Sequence, residues 1–266
     1  VSADVPTVRR GSAPLIVSVP HAGTLLPPEV EARVLSRERA LKDTDWRVDA
    51  LYADAAAEFD ATFVATPVSR TAADCNRDPS GASLYPGKPV TGLCPTETFD
   101  GEPLYPPGGE PDEAEVARRR ALYFDPYHAA LAAEIARLRA LHGRVVVYDC
   151  HSIRSEIPRL FPGTLPVFSI GTNGGAAADR GLAEAVALAC LPTGESVVLD
   201  GRFRGGWITR GHGRPAEGVH AVQMELAQRF YMDEADPADP ADERFERARR
   251  ALRGAIAAAH AWAIGR

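Results

Sequence analysis

The run LIVSV at 15–19 is the feature that most constrains the fold, because a continuous apolar stretch rich in β-branched residues reads as a strand buried on both faces. Such a strand needs a covering layer on each side. It ends at Pro20 and His21. TFVATPVS (62–69) reads as a second strand, RVVVYDCHS (144–152) as a third, VVLDGRF (197–203) as a strand or strand end, and GVHAVQMEL (218–226) as another. Helical periods separate them. Val48, Leu51, Tyr52, Ala55 and Phe59 recur at three and four residues over 45–59, with Asp43, Thr44 and Asp45 as acceptors near the start. Over 125–143 the stripe is Tyr127, Leu131, Ile135, Leu138 and Leu141, stopped by Gly143. GLAEAVALACL (181–191) reads as a helix, and a C-terminal helix begins at Glu243 after a polar loop at 235–243. This alternation predicts an α/β fold, a three-layer α/β/α sandwich around a mixed, largely parallel sheet. With no repeat and no clear interdomain linker, 1–266 reads as a single catalytic domain with a long Pro/Gly-rich loop at 78–112, which reads equally as a lid or binding element and as a decorative insertion.

Composition narrows the partners. The 266 residues carry a formal net charge of -6 and show no basic stripe, which argues against nucleic acid. No apolar run approaches the roughly 20 residues that cross a bilayer, and 1–14 lacks a signal-peptide pattern, so the expectation is a cytoplasmic protein with no membrane partner. Cys75, Cys94, Cys150 and Cys190 form no CxxC pair and are expected to be reduced. Of the 30 Lys and Arg residues only Lys42 and Lys88 are lysines, so most positive charge sits on guanidinium forks that match carboxylates.

His21 and His151 each follow an apolar strand directly, at the edge where open α/β sheets gather ligands. Two such histidines invite a metal. A hydrolytic site adds a carboxylate and keeps one position open, and Asp43, Asp45 and Asp49 are the candidates, each also suited to capping a helix. Strand alternation puts Val145, Val147, Asp149 and His151 on one face, so that Asp149 can orient the His151 ring, and Tyr148 and Cys150 on the other. Glu225 shares a face with Val219, Ala221 and Gln223; an acid ending an apolar strand suits a general base or a structural ion pair. Arg70, Asn76 and Arg77 in SRTAADCNRDP fit a carboxylate ligand. There is no HExxH, GxSxG, P-loop or dinucleotide fingerprint.

Taken together, VSVPHAGTLLPPEV, KDTDWRVDALY, SRTAADCNRDP, TGLCPTETFDGEPLYP, YDCHSIRSEIPRLFPGTLPVFSIGTNGG and GRFRGGWITRGHGRPAEGVHAVQMELAQRFYM resemble the N-formylglutamate amidohydrolases of histidine degradation, in order from about 15 to 232. That family is distantly similar to zinc carboxypeptidases and aspartoacylase. The resemblance implies one divalent metal, Zn2+ first, held by His21, Asp45 and His151. Cobalt, manganese or iron also suit two nitrogens and an oxygen. It further implies Glu225 as general base, Arg70 facing the developing oxyanion, and Asn76 with Arg77 gripping the α-carboxylate of an N-acyl amino acid. Arg154, Arg204 and Arg210 are the candidates for the second carboxylate. One departure follows WITR, where the family commonly has a histidine and an aromatic residue before glycine and this chain has Gly211, His212 and Gly213. Three other readings remain. They are the same chemistry on another N-acyl acidic amino acid, a thiol hydrolase using Cys150, and a non-catalytic dicarboxylate-binding protein.

Overall fold

The computed structural model describes residues 6–84, 87, 90–237 and 243–265. Strands β1 (Thr7–Arg9), β2 (Leu15–Val19), β3 (Thr62–Ala65), β4 (Val145–Ile153), β5 (Phe168–Gly171), β6 (Val197–Leu199) and β7 (Val219–Ala227) form one sheet in the order β1-β3-β2-β4-β7-β5-β6. The pairs β2–β3, β2–β4, β4–β7 and β5–β6 are parallel, while β1–β3 and β5–β7 are antiparallel. The helices are α1 (Pro28–Glu31), α2 (Arg37–Leu41), α3 (Val48–Glu58), α4 (Glu113–Arg119), α5 (Asp125–His142), α6 (Arg180–Cys190), α7 (Trp207–His212) and α8 (Glu243–Ala263). None of the described helices is long and apolar enough to cross a membrane.

Both faces of the central strands are covered, which is why β2, β4 and β7 read as apolar runs. On one face Leu15, Val17, Val146, Tyr148, Val222 and Met224 pack against α3, α6 and α8. The opposite face sets Ile16, Val145, Val147, Val219 and Ala221 against Tyr127, Leu131, Ile135 and Leu138 of α5 and Ile208 of α7. The chain leaves β2 through α3 to reach β3 on one side, then crosses the other face through α5 to reach β4 on the opposite side of β2. Opposite departures from neighbouring parallel strands open a crevice beyond their carboxyl ends.

Several local expectations are corrected. α3 begins at Val48, after Arg47 in the left-handed region (φ 60°), and not among the acids at 43–45. Those acids are engaged in the crevice. Leu141 is 64% exposed and leaves the α5 stripe, which ends at Leu138. The strand at 197–203 stops at Leu199, where Asp200 turns the chain with φ 50°. β1, β5, α4 and α7 are short elements the periodicity did not mark. The 78–112 segment contains no helix or strand among its described residues, and Tyr85, Pro86, Lys88 and Pro89 lie outside them, as do 238–242 of the polar loop.

The stripe sets a stability test. Leu138→Ala is expected to cost about 2–5 kcal/mol in urea unfolding, and Leu141→Ala within about 0.5 kcal/mol.

Candidate active site

One face of the sheet changes character along its length. Ile16, Val145, Val147, Val219 and Ala221 lie under α5 and α7, and the same rows continue toward the carboxyl ends as Ser18, Asp149, His151, Gln223 and Glu225. Register aligns Ser18 with Asp149, Asp149 with Gln223, and His151 with Glu225. Where helical cover ends, the loop at 78–112 takes over and closes a cavity of about 230 Å³ lined by His21, Arg70, Asn76, Arg77, His151, Arg202, Gln223 and Glu225. That is smaller than the roughly 300–1,000 Å³ of drug-sized sites and suits a small metabolite.

His21, Asp45 and His151 converge at the crevice, each buried, with one donor atom from each within 4.8 Å of the others. His21 comes from the residues just after β2, His151 from the β4 strand itself, and Asp45 from the turn before α3. The Asp45 backbone N–H donates to the His21 carbonyl at 3.1 Å, which ties that turn to the end of β2. Asp45 Oδ2 lies 3.0 Å from His151 Nδ1 and 3.7 Å from His21 Nδ1. At the far side of each ring, His21 Nε2 meets Asp74 Oδ1 at 2.8 Å and His151 Nε2 meets Asp149 Oδ2 at 2.9 Å. A carboxylate at Nε2 keeps the proton there and leaves the Nδ1 lone pair directed inward. His21 Nδ1 is a buried nitrogen with no hydrogen-bond partner. An unsatisfied buried acceptor facing an imidazole and a carboxylate fits a divalent cation with two nitrogen ligands and one oxygen ligand. Asp43 and Asp49 do not compete for it. Asp43 accepts from the Phe99 N–H at 2.7 Å and from Arg154 at 3.2 Å, and Asp49 is exposed on α3.

Electrostatics agree with that arrangement. Burial opposes ionisation of Asp45, but its contact with His151 and the charges of His21 and Arg70 outweigh it and hold the carboxyl below its usual range. Burial is likewise overcome at Asp74 by Arg70, Arg77 and His21. The His151 imidazole is disfavoured as a cation by burial, yet Asp149 and Asp45 raise it well above its ordinary range. Anionic charge thus exceeds what the neighbouring side chains neutralise without a proton on His151, and a cation at the convergence point supplies the same compensation. Glu225 differs. Burial pushes its carboxyl up to about 8, opposed by His151 and Arg70 and reinforced by Asp45 and Asp149.

Arg70 is clamped, with Nη1 donating to Asp45 Oδ1 at 3.1 Å, Nη2 to Asp74 Oδ2 at 2.6 Å, and its guanidinium 4.8 Å from the Phe99 ring centroid. Arg77 donates to Thr91 Oγ1 at 2.9 Å, and its Nη2 lies 3.5 Å from Asp74. Asn76 reaches the cavity, but its amide already has protein partners. Nδ2 donates to Gln223 Oε1 at 3.3 Å and to Asp149 Oδ2 at 3.5 Å, and Oδ1 accepts from the Ile208 N–H at 2.8 Å. Gly206 packs on that amide so closely that a Cβ there would lie 2.4 Å from its atoms.

The remaining expectations are corrected by position. Arg154, Arg204 and Arg210 do not line this cavity. Arg154 pairs with Asp43 and Asp100, exposed Arg204 donates to the Asp200 carbonyl, and Arg210 donates to the Gly205 carbonyl. Arg202 lines it instead. Cys150 is fully buried on the other face, with burial raising its thiol well above the ordinary range, so the thiol reading has no nucleophile in the site. All four cysteines are free. His212 lies outside the cavity, with Nε2 2.9 Å from His128 Nδ1, and burial together with His128 pushes it down to about 4. Asp74, Ser18 and Gln223 were missed. Ser18 and Gln223 had a signal, a polar residue interrupting an apolar strand: Ser18 Oγ donates to Asp149 Oδ1 at 3.0 Å, and Gln223 Nε2 to Glu225 Oε2 at 3.3 Å. Asp74 sits in a loop without periodicity and had none.

Most of the chain is similar to known proteins. Residues 13–232 match the family model described as N-formylglutamate amidohydrolase. The chain is 47% identical over 235 residues to the N-formylglutamate deformylase of Pseudomonas aeruginosa, covering 88% of each chain. It is 45% identical over 229 residues to that of Pseudomonas putida, covering 86% of this chain and 85% of the relative. The crystal structure of N-formylglutamate amidohydrolase from Ralstonia eutropha JMP134 superposes with a TM-score of 0.82 at 27% identity, over 97% of this chain and 98% of that one. The match spans the strands, turns and loop that build the crevice, and the chain belongs to the N-formylglutamate amidohydrolase family.

Proposed function

We propose that this chain is a metal-dependent amidohydrolase that cleaves N-formyl-L-glutamate to formate and L-glutamate, a step of histidine degradation by family resemblance alone. What supports the chemistry most is the buried convergence of His21, Asp45 and His151 close to a buried Glu225, with His21, His151 and Glu225 lining a cavity that arginines also line. The names of the Pseudomonas relatives support the substrate.

His21 Nδ1, Asp45 and His151 Nδ1 would hold the metal, with zinc the first expectation. When bound, a divalent ion supplies Lewis acidity that polarises the formyl carbonyl and makes water more acidic. Glu225, adjacent to His151 across the β4–β7 pair, takes a proton from the water that adds to the formyl carbon. It then delivers that proton to the amide nitrogen as the C–N bond breaks, so that formate and the free amine leave. Gln223 donates to Glu225 and orients it. Arg70 presents fixed positive charge toward the oxygen that gains negative charge, and needs no reorganisation because Asp45 and Asp74 already hold it. Arg77 meets the α-carboxylate. Asn76 positions Gln223 and anchors the start of α7, a part that differs from direct substrate binding.

Three outcomes test this reading. Elemental analysis of the purified protein is expected to find one divalent metal per chain, lost together with activity in His151→Ala; a fully active metal-free protein refutes it. Arg70→Ala is expected to lower kcat by about 10²–10³-fold with a smaller change in KM, the pattern of charge used mainly in the transition state. Glu225 acts deprotonated and its carboxyl is raised by burial, so kcat/KM should climb with pH through an acid limb above the ordinary glutamate value of 4.5. In Glu225→Gln the residual rate should lack that limb.

A further inference from the structure

We propose that Arg202 binds the distal carboxylate of the substrate and makes the enzyme selective for a dicarboxylic amino acid, an inference that rests on the deformylase reading above. Among the described residues, the cations lining the cavity are Arg70, Arg77 and Arg202. The first two lie close to the convergence point. Arg70 bonds Asp45 directly, and Arg77 is separated from His21 only by Asp74. Arg202 approaches from a different part of the chain, the loop between β6 and α7. Its Nε donates to the Leu160 carbonyl at 3.0 Å, and its guanidinium lies 5.1 Å from the Phe203 ring centroid. The carbonyl and the ring hold the side chain in place, so little rotamer freedom remains to be lost on binding an anion.

The wall beside Arg202 matches what lies between the two carboxylates of such a substrate. Ile153, Leu160 and Phe203 line the same cavity, and Phe99, Ile153, Leu160 and Phe203 belong to one apolar cluster. In an N-formyl amino acid the α-carboxylate is one carbon from the amide nitrogen, whereas the distal carboxylate of glutamate is three carbons away, across two methylenes. A cation tied to the metal ligands through Asp74 suits the near group. A cation set among apolar side chains suits the far one, because the methylenes gain contact with Leu160 and Phe203 while the guanidinium fork takes the carboxylate.

N-Formyl-L-glutamine has nearly the shape of N-formyl-L-glutamate without the distal charge, so the ratio of their kcat/KM values isolates this contact. That ratio is expected to fall about 100-fold in Arg202→Gln, the scale on which a site built for a polar group discriminates against its absence. Arg202→Lys, which keeps the charge but loses the fork, should fall less, and circular dichroism checks that both variants are folded. A ratio unchanged in Arg202→Gln overturns the assignment. If the wild type turns over neither compound, the deformylase reading itself fails. Calorimetric titration with N-formyl-L-glutamate then tests the subsite alone: weaker binding to Arg202→Gln supports it, and equal affinity overturns it.

Discussion

Asp74 is a carboxylate with no exposed side-chain surface, and it is bonded at once to His21, Arg70 and the Asn76 backbone. An ionised carboxylate buried this deeply survives only if several donors replace the water it has lost. Meeting that demand fixes the rest of the site. The His21 ring must present Nε2 to Asp74, which turns Nδ1 toward Asp45. Arg70 must reach Asp74 with one amino group, which leaves the other to bridge to Asp45. Asp149 does the corresponding work for His151 and is itself held by Ser18, whose hydroxyl also meets Tyr127 of α5 at 2.8 Å. The geometry at the convergence point is therefore imposed from behind, by groups that never reach the cavity.

The sheet explains where that geometry sits. The same rows of side chains that form the core under α5 become the crevice a few residues later, so the site is the uncovered end of the hydrophobic layer. Its precision comes from strand pairing. His151 and Glu225 are neighbours because β4 and β7 are in register over nine residues, and a shift of one residue would turn Glu225 to the opposite face.

What could be read from the chain follows from the same physics. Strands buried on both faces announce themselves as apolar runs, so β2, β4 and β7 were legible, and with them His21, His151, Asp149 and Glu225. Local period also located α5 and the body of α3. Choosing Asp45 over Asp43 and Asp49 took the family resemblance, because all three acids lie within one short segment and only tertiary contacts separate their fates. The arginines illustrate the limit most clearly. Arg202 and Arg204 are two residues apart in a glycine-rich loop, and nothing in local pattern says which one turns inward. Asp74 was silent for a similar reason, since a loop acid looks the same whether solvated or buried.

The pairing of β4 with β7 has a further consequence for synthesis. β4 is the strand most deeply embedded in the sheet, yet its partner lies more than sixty residues further along the chain, beyond β5, α6, β6 and α7. Until β7 emerges, one long edge of β4 has no partner, with nine consecutive backbone positions and the side chains of Val145 to Val147 available to any other strand. Bare apolar edges of this kind are templates for association between incomplete chains. The β4 edge is therefore exposed to such pairing during translation, and slow elongation across residues 154–218 prolongs that exposure.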